Sequence, residues 1–272
     1  LIKNSLENLS DKVLSNYKRK GIDDFELFVS ESDSLSVQTR NTKLENIERS
    51  NGASFTLNVL VGKKQATLNA NNLEDFDPLE FLEKGKFMAI SSPEDPYAGL
   101  PEVEEYANEL IELDLEDKSN IDQKKLYELA MQAEEVMLGV KNITNTEGAT
   151  AGKSINKLTF LSSRNFFKSY NKTFHSLSSV AIAGKDTNMQ RDYDYSSAIH
   201  YEDLKNPSEI GKKAGERAVA RLNSRKIPSG IVDVVFEPRI AKSLLSSLAT
   251  CISGTSIARG TSFLSNKINE KI

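Results

Sequence analysis

The pattern of apolar residues changes its period several times along the chain. It begins with steps of three and four residues, which are typical of an amphipathic helix. Gly21 follows this pattern, at a place where a helix commonly closes in the left-handed conformation that glycine adopts at little cost. We therefore expect an N-terminal helix that ends before Gly21. Its apolar positions are Ile2, Leu6, Leu9, Val13 and Tyr17.

Apolar and polar positions then alternate, and this period of two predicts half-buried antiparallel strands. Asn51-Gly52 and Gly62-Lys63 are the expected turns, because these residue types suit tight hairpin connections. Helical spacing returns over residues 73–90. The alternating runs are residues 25–29, 35–37 and 55–61.

A proline-bearing and acidic connection comes next. Pro93, Pro96 and Pro101 lie close together, and residues 102–117 are rich in glutamate and aspartate. Closely spaced prolines together with many side chains of the same charge are typical of an exposed connection. We therefore expect one domain over residues 1–120, with this acidic linker at its end, and a second over residues 121–272.

The second part of the chain has its own order of elements. Asp122 is a suitable cap for a helix whose buried side carries Leu126, Leu129, Ala133, Val136 and Val140. We expect long strands over 143–201 and a helix that begins after Asn206. We also expect a short buried strand over 231–236 and a last helix that begins at Pro238. The order predicts an α+β fold of two lobes, each an antiparallel sheet with flanking helices. The sheet of 143–201 is expected to be separate from that of 25–70.

Composition narrows the functional classes. The 272 residues are 38% hydrophobic and 27% charged, with a net charge of −4. The basic stretches are short, so no nucleic-acid partner is expected. No apolar run approaches the roughly 20 residues of a membrane-spanning helix, and the first stretch does not resemble a signal peptide, so no membrane partner is expected. A single cysteine, Cys251, cannot form an internal disulfide, which favours a reducing, cytoplasmic location.

The residues that could carry metal or nucleophile chemistry are few. His175 and His200 are the two histidines, and they fall on different predicted strands. A site formed by both with Cys251 is geometrically conceivable, but each histidine is more simply a surface or packed residue. Cys251 lies on the apolar-patterned helix after Pro238, where we expect a buried, unreactive thiol.

Two further motifs invite a functional interpretation. Residues 148–154 resemble a phosphate-binding loop, but the glycine spacing is one residue short and a strand follows instead of a helix. We interpret this segment as a turn between strands. Asp192 and Asp194 flank Tyr193, and on a strand they share one face. We expect this pair to face solvent.

Several stretches, taken in order, resemble the TldD/PmbA family, long described as modulators of DNA gyrase. The most specific runs from His175 to Ser179 and on through Met189 to Tyr195, and it is close to the PmbA form. The other stretches are residues 35–40 with 44–48 and 59–63, residues 91–100, and residues 143–149.

The resemblance implies a cytoplasmic metallopeptidase, a heterodimer of a TldD-type and a PmbA-type subunit that acts on unfolded or small peptides. The TldD type carries a zinc-binding His-Glu-x-x-x-His helix. Aligning the helix after Pro238 with it puts Ser246 and Ser247 at the His-Glu positions and Cys251 at the second histidine. This chain is therefore expected to hold no metal and no catalytic residue, with zinc in the TldD-type partner.

The family resemblance also implies a longer protein, because residues 261–264 resemble the middle of such a chain. The second lobe is thus expected to be the incomplete first part of a peptidase-like domain. Two other functions stay open. One is a non-hydrolytic peptide-binding or regulatory protein acting on a toxin–antitoxin or gyrase system. The other is a stand-alone enzyme that uses Cys251.

Overall fold

The computed structural model describes residues 11–71, 77–107, 109 and 111–271. The chain divides into two compact units, one ending at Ser224 and the other beginning at Arg225. Residues 11–16 are helical, and Gly21 has a φ of 73°, as the sequence predicts for the end of this helix. Its earlier predicted positions, Ile2, Leu6 and Leu9, lie outside the described residues.

The first unit is built on one antiparallel sheet of six strands. Their order across the sheet is β3-β2-β1-β4-β5-β6, and every pair of neighbours is antiparallel. The strands are β1 (Asp24–Arg40), β2 (Lys43–Val61), β3 (Lys64–Ala70), β4 (Ile143–Ser162), β5 (Phe166–Ala183) and β6 (Gln190–Ala198).

This single sheet confirms the α+β class but not the separation into two sheets. β1 pairs with β2 along one edge and with β4 along the other, in register from Glu26 opposite Ser162 to Thr39 opposite Ala149. The prediction of a separate second sheet is therefore wrong. Alternation along a strand specifies which face is buried, but it does not specify which strand lies beside it.

The hairpin between β1 and β2 turns at Asn41 and Thr42, which have φ values of 51° and 56°. Asn51 and Gly52, the predicted turn, lie within β2 and pair with β1. The buried carboxylate of Glu134 accepts hydrogen bonds from the backbone N–H groups of Asn41 and Thr42, at 2.9 and 3.2 Å. The turn position is therefore supported by a contact from a helix that is distant in the sequence, and no pattern in the neighbouring residues predicts it.

Turns are predicted at Gly62 and at Gly148, and only the first prediction is confirmed. Gly62 and Lys63 connect β2 to β3 as predicted, with a φ of 58° at Gly62. Residues 148–154 lie inside β4, so the predicted turn there is wrong. Gly148 instead lies at an irregularity in the strand register, with a φ of 97°. A Cβ at this position would lie 2.1 Å from the carbonyl oxygen of Thr39, which only glycine avoids.

Three helices in this unit begin at capped N-termini. They are α1 (Pro78–Ser91), α2 (Gln123–Leu138) and α3 (Pro207–Ala220). The side chains of Asp77, Asp122 and Asn206 accept hydrogen bonds from first-turn N–H groups at 2.8–2.9 Å. Such caps satisfy donors that the helix itself leaves unpaired. The predicted starts of α2 and α3 are confirmed. α1 begins at Pro78, and residues 73–76 of the stretch predicted as helical lie outside the described residues. Short 3₁₀ turns occupy Val103–Glu105, Asp186–Asn188 and Tyr201–Asp203.

The helices pack on one face of the sheet at both ends of β1, and a further small cluster lies between α2, α3 and β5. Leu82 of α1 lies in a cluster with Phe25 and Leu27 at one end of β1. Leu126 of α2 and Ile210 of α3 lie in a second cluster at the other end. Residues 30–34 of β1 belong to neither cluster. The middle of this face is therefore left without an apolar cover.

The second unit contains α4 (Pro238–Cys251) and α5 (Gly254–Ala258). The predicted helix at Pro238 is confirmed. Residues 231–236, predicted as a buried strand, form no strand here and are exposed, with Val235 at 94%. An apolar run is typical of a buried strand only where neighbouring strands exist to pair with it. Across the described part of the chain, no helix is long and apolar enough to cross a membrane.

Candidate functional site

The three positions that the resemblance aligns with a zinc motif all lie on α4. Ser246 and Ser247 are exposed and Cys251 is half-exposed, so the expectation of a buried thiol is wrong. The Ser246 hydroxyl donates to the carbonyl oxygen of Lys242 at 3.3 Å. These residues do not fit a zinc ion. Neutral serine hydroxyls are not usual zinc ligands, and one thiol cannot replace the three protein ligands of a catalytic zinc.

The remaining sequence candidates for metal binding are in the first unit. His175 lies on β5, whereas His200 follows the end of β6 instead of lying on a strand. Each contacts a carboxylate of the acidic connection. No group of three or more His, Cys, Asp or Glu side chains within the described ranges is arranged to hold a metal ion.

His175 and Asp117 form a buried contact between the sheet and the acidic connection. The Nε2 atom of His175 lies 3.1 Å from Oδ2 of Asp117. Burial raises the pKa of Asp117, but hydrogen bonds from Tyr201 and Ser119, together with His175, more than offset this and lower it to about 2. Burial lowers the pKa of His175, with opposition from Asp117. The pair therefore combines an ionised carboxylate with a neutral imidazole near pH 7.

Further contacts attach the same connection to the sheet. The backbone N–H of Thr173 donates to the carbonyl oxygen of Leu115 at 2.9 Å. The Nε2 atom of His200 lies 3.2 Å from Oδ2 of Asp114, whose side chain is 85% exposed. Although the segment is largely exposed, as predicted, residues 114–117 are held against β5 and the chain after β6.

Asp192 and Asp194 share one face of β6, as the sequence predicts, but they do not face solvent. Both are buried, at 5% and 6% exposed. Asp192 pairs with Arg221 at 3.1 Å, and Asp194 pairs with Arg217 on α3. The expectation of a solvent-facing pair is wrong, because α3 covers this face with arginines. The pair is structural and attaches α3 to the edge of the sheet.

The uncovered middle of the sheet holds a depression that we call the sheet trough. It consists of two adjoining cavities of about 370 and 320 Å³ that share Asp33 and Ile155. Besides the shared pair, the larger cavity is lined by Leu35, Ile47, Arg49, Asn120, Asp122, Gln123 and Lys153. Besides the same pair, the smaller cavity is lined by Glu31, Ser32, Asn51, Lys157 and Asn171.

Sequence reasoning missed the sheet trough. A signal for it exists in β1, where Glu31 and Asp33 occupy positions that the alternation assigns to the buried face. Their partners across the β1–β4 ladder are Lys157 and Ile155. Charged residues on an otherwise apolar face indicate a stretch that no helix covers.

Comparisons with known proteins give consistent results along the chain. Models of PmbA/TldA metallopeptidase domain 1, central domain and C-terminal domain match residues 25–89, 108–222 and 229–272. Metalloprotease PmbA of Escherichia coli O157:H7 is 29% identical over 92% of this chain and 56% of its own length. A PmbA homolog of Haemophilus influenzae is 27% identical over 91% and 55%. The chain spans about half the length of these relatives.

Solved structures share the fold. A protein of Bacteroides thetaiotaomicron, named for a proposed role as a modulator of DNA gyrase, superposes with a TM-score of 0.89 at 23% identity, over all of this chain and 62% of its own. TldE of Thermococcus kodakarensis gives a TM-score of 0.59 at 14% identity, over 79% and 47%. The three domain matches follow one another in the family order and together cover most of the sequence. The chain belongs to the TldD/PmbA family of metallopeptidases.

Proposed function

We propose that this chain is a PmbA-type subunit of a cytoplasmic TldD/PmbA metallopeptidase complex. In this proposal the complex degrades or processes unfolded or small peptides, and this chain shapes the cavity together with a TldD-type partner. The observation that carries the proposal is the side-chain chemistry of α4. It presents Ser246, Ser247 and Cys251 at the positions that the resemblance aligns with the histidine, glutamate and second histidine of the family motif.

The chemistry of peptide hydrolysis supports this division of roles. A zinc peptidase needs ligands that leave one coordination position open, and a general base that removes a proton from the attacking water. Serine at 246 cannot replace an imidazole ligand, and serine at 247 cannot accept that proton as a glutamate does. The ligands and the base are therefore assigned to the partner.

The test uses the chain alone, a TldD-type subunit alone and the two co-expressed. We expect a stable complex that hydrolyses a casein-derived peptide mixture, with stoichiometric zinc in the partner. The chain alone should be inactive, and Cys251→Ala should leave the activity of the complex unchanged. About one tightly held zinc in each isolated chain, measured by elemental analysis, would contradict the proposal.

The same experiment separates the alternatives. A stand-alone enzyme that uses Cys251 would hydrolyse peptides without the partner and lose this activity in Cys251→Ala. A non-hydrolytic binding or regulatory protein would retain peptides without cleaving them, with or without the partner.

A further inference from the structure

The sheet trough lies on the same face as the apolar clusters at the two ends of β1 and between them. Its floor in the larger cavity is apolar and comes from three neighbouring strands. Leu35 of β1 is half-buried, while Ile47 of β2 and Ile155 of β4 are 38% and 46% exposed. Since α1 and α2 cover the sheet on either side, the floor is recessed between them.

Most charges of the trough are already compensated within the chain. Arg49 lies 3.3 Å from Asp33, and Lys157 lies 3.3 Å from Glu31. Asp122 accepts the N–H of Lys125 at 2.8 Å and caps the positive end of α2.

Lys153 is the exception among the lining cations. It is half-buried, and no carboxylate of the described residues lies within ion-pair distance of its ammonium group. Its neighbour across the β4–β5 ladder is His175, and burial lowers the pKa of that residue. The imidazole is therefore neutral near pH 7 and adds no charge beside Lys153. An ammonium group without a counter-ion inside the chain can take an anionic group of a ligand as its partner.

Two side-chain amides complete the larger cavity. Asn120 and Gln123 line it where the acidic connection enters α2. Both residues are exposed, and within the described part of the chain neither amide is hydrogen-bonded to another protein group, so both are open to a ligand. Each amide can both donate and accept, which is what the N–H and C=O groups of a peptide require.

We propose that the sheet trough binds the C-terminal end of an extended peptide. The terminal carboxylate lies at Lys153, the last apolar side chain packs on Leu35, Ile47 and Ile155, and main-chain groups pair with Asn120 and Gln123. A fatty acid offers one carboxylate to Lys153 and no main-chain groups to the two amides. A nucleic acid would need several free cations, whereas Lys153 is the one lining cation of the larger cavity without a counter-ion among the described residues. The choice of a peptide rests on the proposed function.

The test measures binding to the chain alone, by calorimetry, with acetyl-Leu-Leu as the probe and its C-terminal amide as the matched comparison. We expect the free acid to bind at least about tenfold more tightly than the amide, since a hydrogen bond to a charged group is worth that much. Lys153→Met should remove this difference, and Lys153→Arg should keep it. Lys172→Met, on the opposite face of the sheet, should change nothing.

Each outcome bears on the proposal. Equal binding of acid and amide, no binding of either at millimolar concentration, or an equal loss in Lys172→Met would overturn it. Circular dichroism and melting of the Lys153→Met chain should match those of the unmodified chain, so that a loss of binding is not a loss of fold. Peptide hydrolysis by the complex is measured separately. Binding without hydrolysis refutes the proposed function alone, and hydrolysis without this binding refutes the trough alone.

Discussion

Helices α2 and α4 have the same kind of sequence and different surroundings. Both carry apolar residues at three- and four-residue steps. In α2 the stripe is buried, with Leu126 at 1% exposed and Met137 at 0%. In α4 no residue is buried, and Leu244 and Leu245 are 50% and 71% exposed. A periodic pattern thus predicts a helix and its apolar face, but what covers that face depends on the rest of the fold.

The difference has an energetic consequence. Burial of apolar surface contributes about 25 cal/mol per Å², so α2 gains stability from its contacts with the sheet and α3. An isolated helix shorter than roughly 12–15 residues is marginal in water, and α4 has 14 residues. Substitutions in the first unit should therefore change its stability strongly, whereas comparable substitutions in the second unit should not.

The largest effect is expected at the crossing of α2 and α3. A Cβ on Gly211 would lie 2.0 Å from the carbonyl oxygen of Ala133, so the two helices would have to separate. We expect Gly211→Ala to lower the free energy of unfolding by about 3 kcal/mol, because overpacking a tight contact outweighs the better helix propensity of alanine. Urea denaturation followed by circular dichroism measures this change.

The matched control is Gly254→Ala at the start of α5. A Cβ there meets no atom within 4 Å, so we expect a change within about 0.5 kcal/mol. Equal effects at the two glycines would show that the two units do not differ in packing as the structure indicates.

A smaller effect is expected at the contact between Asp117 and the sheet. Asp117→Asn should lower the free energy of unfolding by about 2 kcal/mol at pH 7, because hydrogen bonds to a charged group are replaced by weaker ones. The folded-state pKa of Asp117 is about 2, below its ordinary value of 3.8. The carboxylate therefore stabilises the fold fully above pH 4, and this contribution is lost as the pH falls towards 2.

The measurement compares urea midpoints of the unmodified and Asp117→Asn chains from pH 7 to pH 2.5. The difference between them should shrink below pH 4. His175 adds a slope of its own, since its lowered pKa means that stability falls as the pH drops below about 6.5. Because Asp117 opposes the lowering of the His175 pKa, this slope is larger in the Asp117→Asn chain, and the difference between the chains should widen below pH 6.5 before it shrinks. Glu112→Gln, at an exposed carboxylate of the same connection, is the control and should leave the curve unchanged. A constant difference down to pH 2.5 would contradict the assignment.

The sequence predicts local features of this fold well and long-range ones poorly. Asp122 and Asn206 are identified as helix caps because capping depends on residues close together in the chain. The pairing of β1 with β4 joins residues more than 100 positions apart, and no local pattern encodes it. Gly148 shows the limit clearly, since a glycine required by a close contact with β1 looks in the sequence like a glycine in a turn.

For the candidate functional residues, too, the sequence predicts what is local and misses what depends on long-range contacts. The alignment of Ser246 and Ser247 with the family motif can be made from the sequence because that motif is local; the structure has both serines on one helix, and the alignment itself stays a prediction. Asp192 and Asp194 look solvent-facing until α3 brings arginines to them. Lys153 could not be singled out at all, because its lack of a counter-ion depends on which side chains of four strands and one helix lie around it.

The smallest change in stability is expected on α4, where the effect on association should be larger. The exposed apolar residues of the second unit include Val235, Leu244 and Leu245, and such patches above roughly a few hundred Å² promote association. We expect the 272-residue chain to self-associate, and Leu245→Gln to reduce this while changing the free energy of unfolding by less than about 0.5 kcal/mol. Ser243→Gln adds the same side chain to α4 without removing an apolar one, and it should leave association unchanged. Light scattering over a range of concentrations measures the association, and urea denaturation the stability. If the unmodified chain is monomeric throughout, or if Leu245→Gln destabilises it as much as Gly211→Ala does, α4 is covered in solution and the contrast with α2 does not hold.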